Sequence, residues 1–445
     1  MIIVFRDLLE IISFIVTING LATLSWMLYA WRDESSYEKS KFPIYSGNEE
    51  VPISIIVPAR HEETVLKDTL LLLSASKYTN FEVIVVIGHD DPSTMKVAED
   101  AIKLAGRNFR IAVDTNTIKN KPSALNTGLE FCSGELIGII DAEDEVSINL
   151  LTSINAAYQI DNPDIIQGSV QLVNLQSTWF SARNCLEYYL WFRSRLQWQA
   201  KNGFVPLGGN SVFIRRSRLI SIGGWDPNCL TEDCDLGVRL ATQDCKVRIG
   251  FDPDTTTREE TPLDLKTFVR QRTRWNQGFV QIYRKGDWKN FPSTKSRLLA
   301  RYTLMTPFLQ AFNTLSFLLA VIGIFYLVIG ENQALFMFLP MLILFITLAF
   351  EMLSIYELGK EFNIKIALYE YVNLMLFLLP YQLLLSLSAA NAIYRHLFGK
   401  ANWQKTDHVG AHREDTSNHI DIQKSHMTIS QDKYDLLVNT AEENA

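Results

Sequence analysis

The chain has 445 residues, 47% of them apolar, and a formal net charge of −7, enough for one large folded domain plus several membrane helices and too much for a single small module. The negative balance, with no long Lys/Arg block interleaved with aromatics, argues against nucleic-acid binding. Five cysteines (Cys132, Cys185, Cys229, Cys234, Cys245) form no CxxC pair, so the sequence predicts reduced thiols and neither a zinc site nor a disulfide framework.

In chain order, Ile11–Ala30 is a run of twenty uncharged residues, which at about 1.5 Å per residue spans a hydrocarbon core of about 30 Å. It is too long for a signal-peptide core, and Trp26, Tyr29 and Trp31 form an interfacial belt where a cleavage site would stand. Arg32, Lys39 and Lys41 come next, favouring a cytosolic position for the downstream domain. From Val51 to Trp288 the pattern changes to alternating strands and helices. Ile53–Val57, Phe81–Ile87, Phe109–Val113 and Leu136–Ile140 are short β-branched runs suited to a sheet buried on both faces. Between the first two, Glu62–Ser76 places Val65, Leu66, Thr69, Leu70 and Leu73 on one helical stripe. Strand, helix, strand in this rhythm predicts a parallel α/β sheet with its ligand site at the carboxyl ends of the strands. Uncharged runs return at Leu304–Gly330, Asn332–Phe350 and Tyr371–Tyr394. The last contains Pro380, which suits a kinked or re-entrant hairpin as well as a crossing. Beyond about residue 410 the chain is polar and reads as a mobile tail; five of the seven histidines lie from His396 onward, irregularly spaced and unlike a metal site.

Charged clusters lie after the predicted strands or short loops: Pro58-Ala59-Arg60-His61-Glu62, His89-Asp90-Asp91, Asp141-Ala142-Glu143-Asp144 and Thr231-Glu232-Asp233. One such cluster alone is more commonly a turn or a helix cap. Here they occur in series, and Gln271-Arg272-Thr273-Arg274-Trp275 precedes the C-terminal apolar runs. In that order the motifs resemble the family 2 glycosyltransferases of the cellulose, chitin and hyaluronan synthase type, nearest the bacterial branch with DAED, TEDxDLGxRL and W-x-K-T segments. The resemblance covers about residues 50–408. It implies a GT-A-type nucleotide-sugar-binding domain with a mostly parallel central sheet, flanked by transmembrane helices. The corresponding division is 1–50 (membrane helix and linker), 51–290 (cytosolic catalytic domain), 291–400 (membrane and interfacial helices) and 401–445 (a gating-like segment and tail).

Carried over position by position, the resemblance implies that Ala59 and Glu62 lie by the base of a uridine diphosphate sugar. Asp90 or Asp91 meets the nucleoside, Lys121 lies near the nucleotide, and Asn126-Thr127-Gly128 opens over the donor. Asp141, with Glu143 or Asp144, comes after a buried strand and offers oxygen ligands suited to Mg²⁺ or Mn²⁺, which takes one or two protein carboxylates and completes its shell with water and diphosphate oxygens. Asp233 matches the last position of the TED motif and is expected as general base, with Glu232 as nearest substitute. Gln271, Arg274 and Trp275 share a helix face; with Arg272 and Trp225 they are assigned to the acceptor and diphosphate site, although Trp275 also suits an interface anchor and Trp225 suits core packing. Trp403, Lys405 and Thr406 resemble a segment that closes over the nucleotide. For that segment to be cytosolic, one C-terminal run, taken to be that with Pro380, is not a single crossing. The expected activity is inverting transfer from a nucleotide-sugar to a growing β-glycan by a processive, membrane-bound synthase. The alternative is single transfer to a lipid or lipid-linked oligosaccharide.

Overall fold

The computed structural model describes residues 2–32, 38–313 and 331–399. Trp403, Lys405, Thr406 and the tail lie outside the described residues.

Four strands form the frame of the domain: β1 (Ile53–Ala59), β2 (Phe81–Gly88), β3 (Phe109–Asp114) and β4 (Leu136–Ile139). They run parallel in the order β3-β2-β1-β4, close to the predicted runs. Alternation along each strand feeds two cores. Ile56, Ile84 and Val86 pack with Leu125 and Tyr189 on one face, while Ile55, Val83 and Val85 pack with Leu66, Leu70 and Ile154 on the other. Both faces are covered by helices, which is why these strands read as continuous apolar runs.

Past β4 the order continues β7 (Val212–Arg215), β5 (Ile165–Gln167), β8 (Val247–Ile249). Here β7 runs antiparallel to both neighbours, while β5 and β8 pair in parallel. One reversed strand has a direct consequence. β1 to β4 deliver their carboxyl ends to one edge, whereas β7 delivers to that edge the residues that precede it, Gly208 to Ser211. A separate two-stranded parallel ribbon, β6 (Val170–Leu172) with β9 (Thr257–Glu259), ends there too, tied back by a bridge between Glu145 and Arg258.

Two helices among the described residues are long and apolar enough to cross a membrane, Asp7–Trp31 and Phe338–Glu361. They pack closely at Gly20, where a Cβ would come within 2.9 Å of Ile343. The run containing Pro380 is a pair of helices, Leu368–Leu376 and Leu378–Leu397, bent by 54°. The break falls at Phe377, not at the proline: Pro380 occupies the first turn of the second helix, where no backbone N–H is required of it. The second arm lies along the Leu265–Lys285 helix, with Tyr381 against Phe268 (centroids 5.5 Å apart) and His396 hydrogen-bonded to Arg284 at 2.9 Å.

Candidate active site

A cavity of about 680 Å³ opens at the carboxyl edge of the sheet, within the range of about 300–1,000 Å³ usual for small-molecule sites. Its donor end is built from strand termini. Ala59, Arg60 and Glu62 stand at or just after the end of β1, Gly88 ends β2 and Asp114 ends β3, and all five line the cavity. Arg60 is held by Asp90 through two hydrogen bonds of 3.0 and 2.9 Å, and the guanidinium keeps the Asp90 carboxyl well below the usual range. Asp91 has a different task. It is buried and caps the Pro92–Ala105 helix by accepting from Thr94 N–H, while its other oxygen accepts from His61 N–H at 2.6 Å. That second bond fixes His61 in the left-handed region, φ 54°. Neither Asp90 nor Asp91 lines the cavity; they hold Arg60 and the loop after β1, and of the three only Arg60 faces it.

Lys121 begins the Lys121–Phe131 helix, whose first turn is set by Asn120 accepting from Ser123 N–H and by Pro122. Its ammonium donates to Asp141 at 2.7 Å and to the Gly209 carbonyl at 2.9 Å. Burial opposes the charge, but Asp141, Glu232 and Glu143 around it outweigh burial and hold the pKa above its ordinary value. Gly209 is the point of closest approach, since a Cβ there would come within 3.3 Å of both Lys121 Nζ and Asp233 Oδ2.

The carboxylates after β4 separate into two groups. Asp141 and Glu143 line the cavity, whereas Asp144 turns inward, accepting from Asp141 N–H at 2.8 Å and from the Asn210 amide at 2.9 Å. Asn210 also donates to Glu259. Burial, with Glu259, Asp141 and Glu143 as like charges nearby, raises the Asp144 pKa well above normal, and its oxygens are engaged in bracing the turn. Two cavity carboxylates suit a divalent ion that takes its remaining ligands from diphosphate and water. Among the described residues no cluster of three or more ligating side chains is present.

Glu232 and Asp233 open the Glu232–Ala241 helix, with Thr231 at the N-cap position but no side-chain capping bond from it; Asp233 sits in the first turn and is not the cap. Its Oδ1 accepts from Cys234 N–H at 2.7 Å, leaving Oδ2 toward Gly209 and the cavity. Burial raises both carboxyls, Glu232 to about 7 with Asp233 as the added like charge, while Lys121 and Arg274 pull both back.

The acceptor wall is the Leu265–Lys285 helix, from which Gln271, Arg272, Arg274 and Trp275 all reach the cavity. Arg274 donates to the Leu230 carbonyl at 3.1 Å, which keeps its charge beside the Glu232–Asp233 pair. Arg272 is a clamp: it donates to Glu187 at 2.5 Å, Glu187 also accepts from Tyr381 at 2.8 Å, and the guanidinium stacks 5.0 Å from Phe268 and 4.8 Å from Trp275. Arg272 lines the cavity while its guanidinium packs on Trp275, whose ring lies 6.5 Å from Tyr188. Trp225 does not line the cavity. It is 4% exposed, packs in the core, and is clamped by Asn126, which accepts from Trp225 N–H at 2.9 Å and donates to its carbonyl at 2.8 Å.

Cavity residues that sequence reasoning passed over include Arg60, Asp114, Glu187, Tyr188, Glu259 and Glu260. The Glu259–Glu260 pair carried the same signal as the others, acids after a short β run. Glu187 and Tyr188 carried none, since they belong to no charged cluster and follow no predicted strand.

Against known proteins, residues 51–278 match the model of the glycosyltransferase-like family 2. A β-monoglucosyldiacylglycerol synthase of Nostoc sp. (strain PCC 7120) is 29% identical over 238 residues, 52% of this chain and 49% of that protein, so the chain spans about half the length of that relative. A probable glycosyltransferase of Bacillus subtilis (strain 168) is 26% identical over 383 residues, covering 81% of this chain and 88% of the relative. A poly-β-1,6-N-acetyl-D-glucosamine synthase of Staphylococcus aureus (strain COL) is 25% identical over 285 residues, 61% and 64% of the two chains. A mannosyltransferase from Pyrobaculum calidifontis, solved in complex with GDP-Man and Mn²⁺, superposes with a TM-score of 0.58 at 17% identity, over 88% of this chain and all of that one. The fold is thus the GT-A fold of nucleotide-sugar transferases. The chain belongs to the glycosyltransferase-like family 2.

Proposed function

We propose that this protein is a membrane-bound, metal-dependent, inverting hexosyltransferase that moves a sugar from a nucleotide-sugar, a uridine diphosphate sugar by resemblance, to a growing β-glycan on the cytosolic side of a membrane. The observation that carries the reading is the continuity of one cavity from the donor residues Ala59, Arg60 and Lys121, past Asp233 and Trp275, to polar side chains set in apolar helices, among them Asn19, Thr23 and Thr347. These side chains are hydrogen-bonded within the protein, Asn19 to Tyr302 and the threonines to main-chain carbonyls of their own helices, yet they give this end of the cavity polar groups that a sugar chain can use.

In this mechanism Arg60 and Glu62 hold the base, and Lys121 and Arg274 face the diphosphate. Asp141 and Glu143 would hold Mg²⁺ or Mn²⁺, which as a Lewis acid supplies neutralisation of the leaving diphosphate. Asp233 Oδ2 takes the proton of the acceptor hydroxyl as its oxygen attacks the anomeric carbon in line, giving a β-linkage from an α-linked donor. Raised pKa values for the Glu232–Asp233 pair place the base nearer neutral pH, where proton transfer is most effective. Trp275 and Tyr188 offer aromatic faces to the acceptor ring. The second reading, transfer to a lipid or lipid-linked acceptor, draws on the similarity to the β-monoglucosyldiacylglycerol synthases.

The test is diphosphate release by the purified full-length protein from a panel of nucleotide-sugars, with product sizing on a gel. Expected are metal-restored turnover after EDTA treatment and a ladder of long products. Full turnover without metal overturns the metal assignment, and a single short product overturns processivity.

A further inference from the structure

Three arginines lie on the Ser181–Lys201 helices of the catalytic domain, where these pack against the membrane-spanning helices, and they are not equivalent. Arg183 pairs with Glu351, and Arg193 pairs with Glu357 and with Glu361 at 3.3 Å; both serve to fasten the Phe338–Glu361 span. Arg195, two residues further on, has no carboxylate beside it among the described residues. Its guanidinium sits 4.5 Å from the centre of the Trp26 ring, near Tyr302, and lines the cavity. Burial lowers its pKa to about 10, which still leaves it charged at neutral pH.

Local backbone geometry accounts for the difference. Trp191–Arg195 is a π-helical turn between the Ser181–Leu190 and Leu196–Lys201 helices. Such turns widen the helix by one residue, and they recur at functional sites. This one sends Arg193 to the glutamates of the span and Arg195 to the cavity wall. The Nε of Arg195 is buried with no hydrogen-bond partner. A partly buried cation without an anion is costly, and the cation–π contact offsets only about 0.5–2 kcal/mol of that.

We propose that Arg195 binds the phosphate of a lipid that carries the acceptor glycan, at the membrane end of the cavity. Chemistry and position both favour this ligand. A guanidinium fork matches phosphate oxygens in a way that a neutral sugar hydroxyl or a diacylglycerol head does not. Trp26 lies in the last turns of the Asp7–Trp31 span on the catalytic-domain side, the level at which tryptophan belts and lipid phosphates meet. Beside it, Tyr302 hydrogen-bonds Asn19 of the same helix, so the wall that faces the phosphate is fixed by the membrane helix itself. The proposal rests on reading this cavity as the acceptor site.

The experiment measures binding of farnesyl phosphate, farnesol, inorganic phosphate and a glucuronate oligosaccharide to full-length protein in phosphatidylcholine nanodiscs, with UDP binding alongside. Expected is farnesyl phosphate binding at least tenfold tighter than either farnesol or inorganic phosphate. Arg195→Gln should abolish that preference and Arg195→Lys restore part of it, with UDP affinity and melting temperature unchanged in both. Wild-type-like farnesyl phosphate binding by Arg195→Gln overturns the proposal. So does loss of UDP binding in that variant, equal binding of inorganic phosphate, or Arg195-dependent binding of the glucuronate oligosaccharide in place of farnesyl phosphate. Failure of the wild type to bind UDP would instead strike the transferase reading.

Discussion

The donor end and the acceptor end of the cavity are built in different ways. At the donor end, Ala59, Gly88, Asp114 and Asp141 are each the last residue of a strand or within two residues of one, and a parallel sheet aligns such ends by its topology alone. The acceptor end has no such frame. Trp275, Tyr188, Glu187 and Tyr381 come from three helices far apart in sequence, and Arg272, Glu187 and Tyr381 tie those helices together in one hydrogen-bonded cluster. The backbone therefore sets the donor geometry, and side-chain networks set the acceptor geometry. Damage to a single side chain should then be local chemistry at one end and loss of shape at the other.

The largest expected effect is chemical, at the boundary between the two. Asp233→Asn retains size and the bond from Cys234 N–H but cannot take a proton. Glycosyl transfer should fall by about 10²–10⁴-fold, with UDP affinity little changed, as read by diphosphate release and calorimetry on one preparation. A near-wild-type rate would remove Asp233 from the mechanism.

Glu187→Gln tests the acceptor end. It leaves Arg272 short of its carboxylate, at a cost of about 1–3 kcal/mol in stability, and frees Trp275 to move. The expected readout is a lower melting temperature with a raised KM for acceptor and an unchanged KM for donor. Equal changes in the two constants would mean that the ends are not independent.

At the donor end, Asp91→Ala removes a helix cap and should cost about 1 kcal/mol, measured by thermal unfolding, while Asp91→Asn should cost less. A collapse of activity without loss of stability in Asp91→Asn would mean that Asp91 meets the nucleoside after all.

The smallest effect is a displacement along the pH axis. Because burial raises the Asp233 carboxyl and the base is its ionised form, activity should fall on the acid side at a pH above the usual carboxylate range. The two sites titrate as a pair. The like-charge effect falls on Glu232 and not on Asp233, so Glu232→Gln should leave the acid limb of kcat/KM in place; loss of the limb would assign it to Glu232.

Much of the donor end was legible in the sequence because its cause is local. Apolar β-branched runs with acids after them mark strand ends, and that pattern singled out Asp141 and Glu143, while Ala59, Glu62 and Lys121 were expected from the family resemblance; all five line the cavity. The same pattern misled where two acids are adjacent. Asp90 and Asp91, or Glu143 and Asp144, look interchangeable along the chain, yet a strand or loop turns neighbours to opposite sides, and only one environment has a helix N-terminus to cap or a burial cost to meet. Trp225 misled for a related reason: aromatic residues near a motif suit a sugar as well as a core, and the clamp by Asn126, ninety-nine positions away, decides for the core.

What the sequence determined by itself was the parallel frame, the apolar helices and the order of the acid clusters, since each depends on periodicity within a few residues. Tertiary structure alone decided the reversal of β7 that brings Gly209 and Asn210 to Lys121 and Asp144, the break at Phe377 in place of Pro380, and the separate fates of Arg193 and Arg195. Those outcomes depend on which surfaces meet across long stretches of chain, where a buried charge finds a partner or does not, and no local pattern records that.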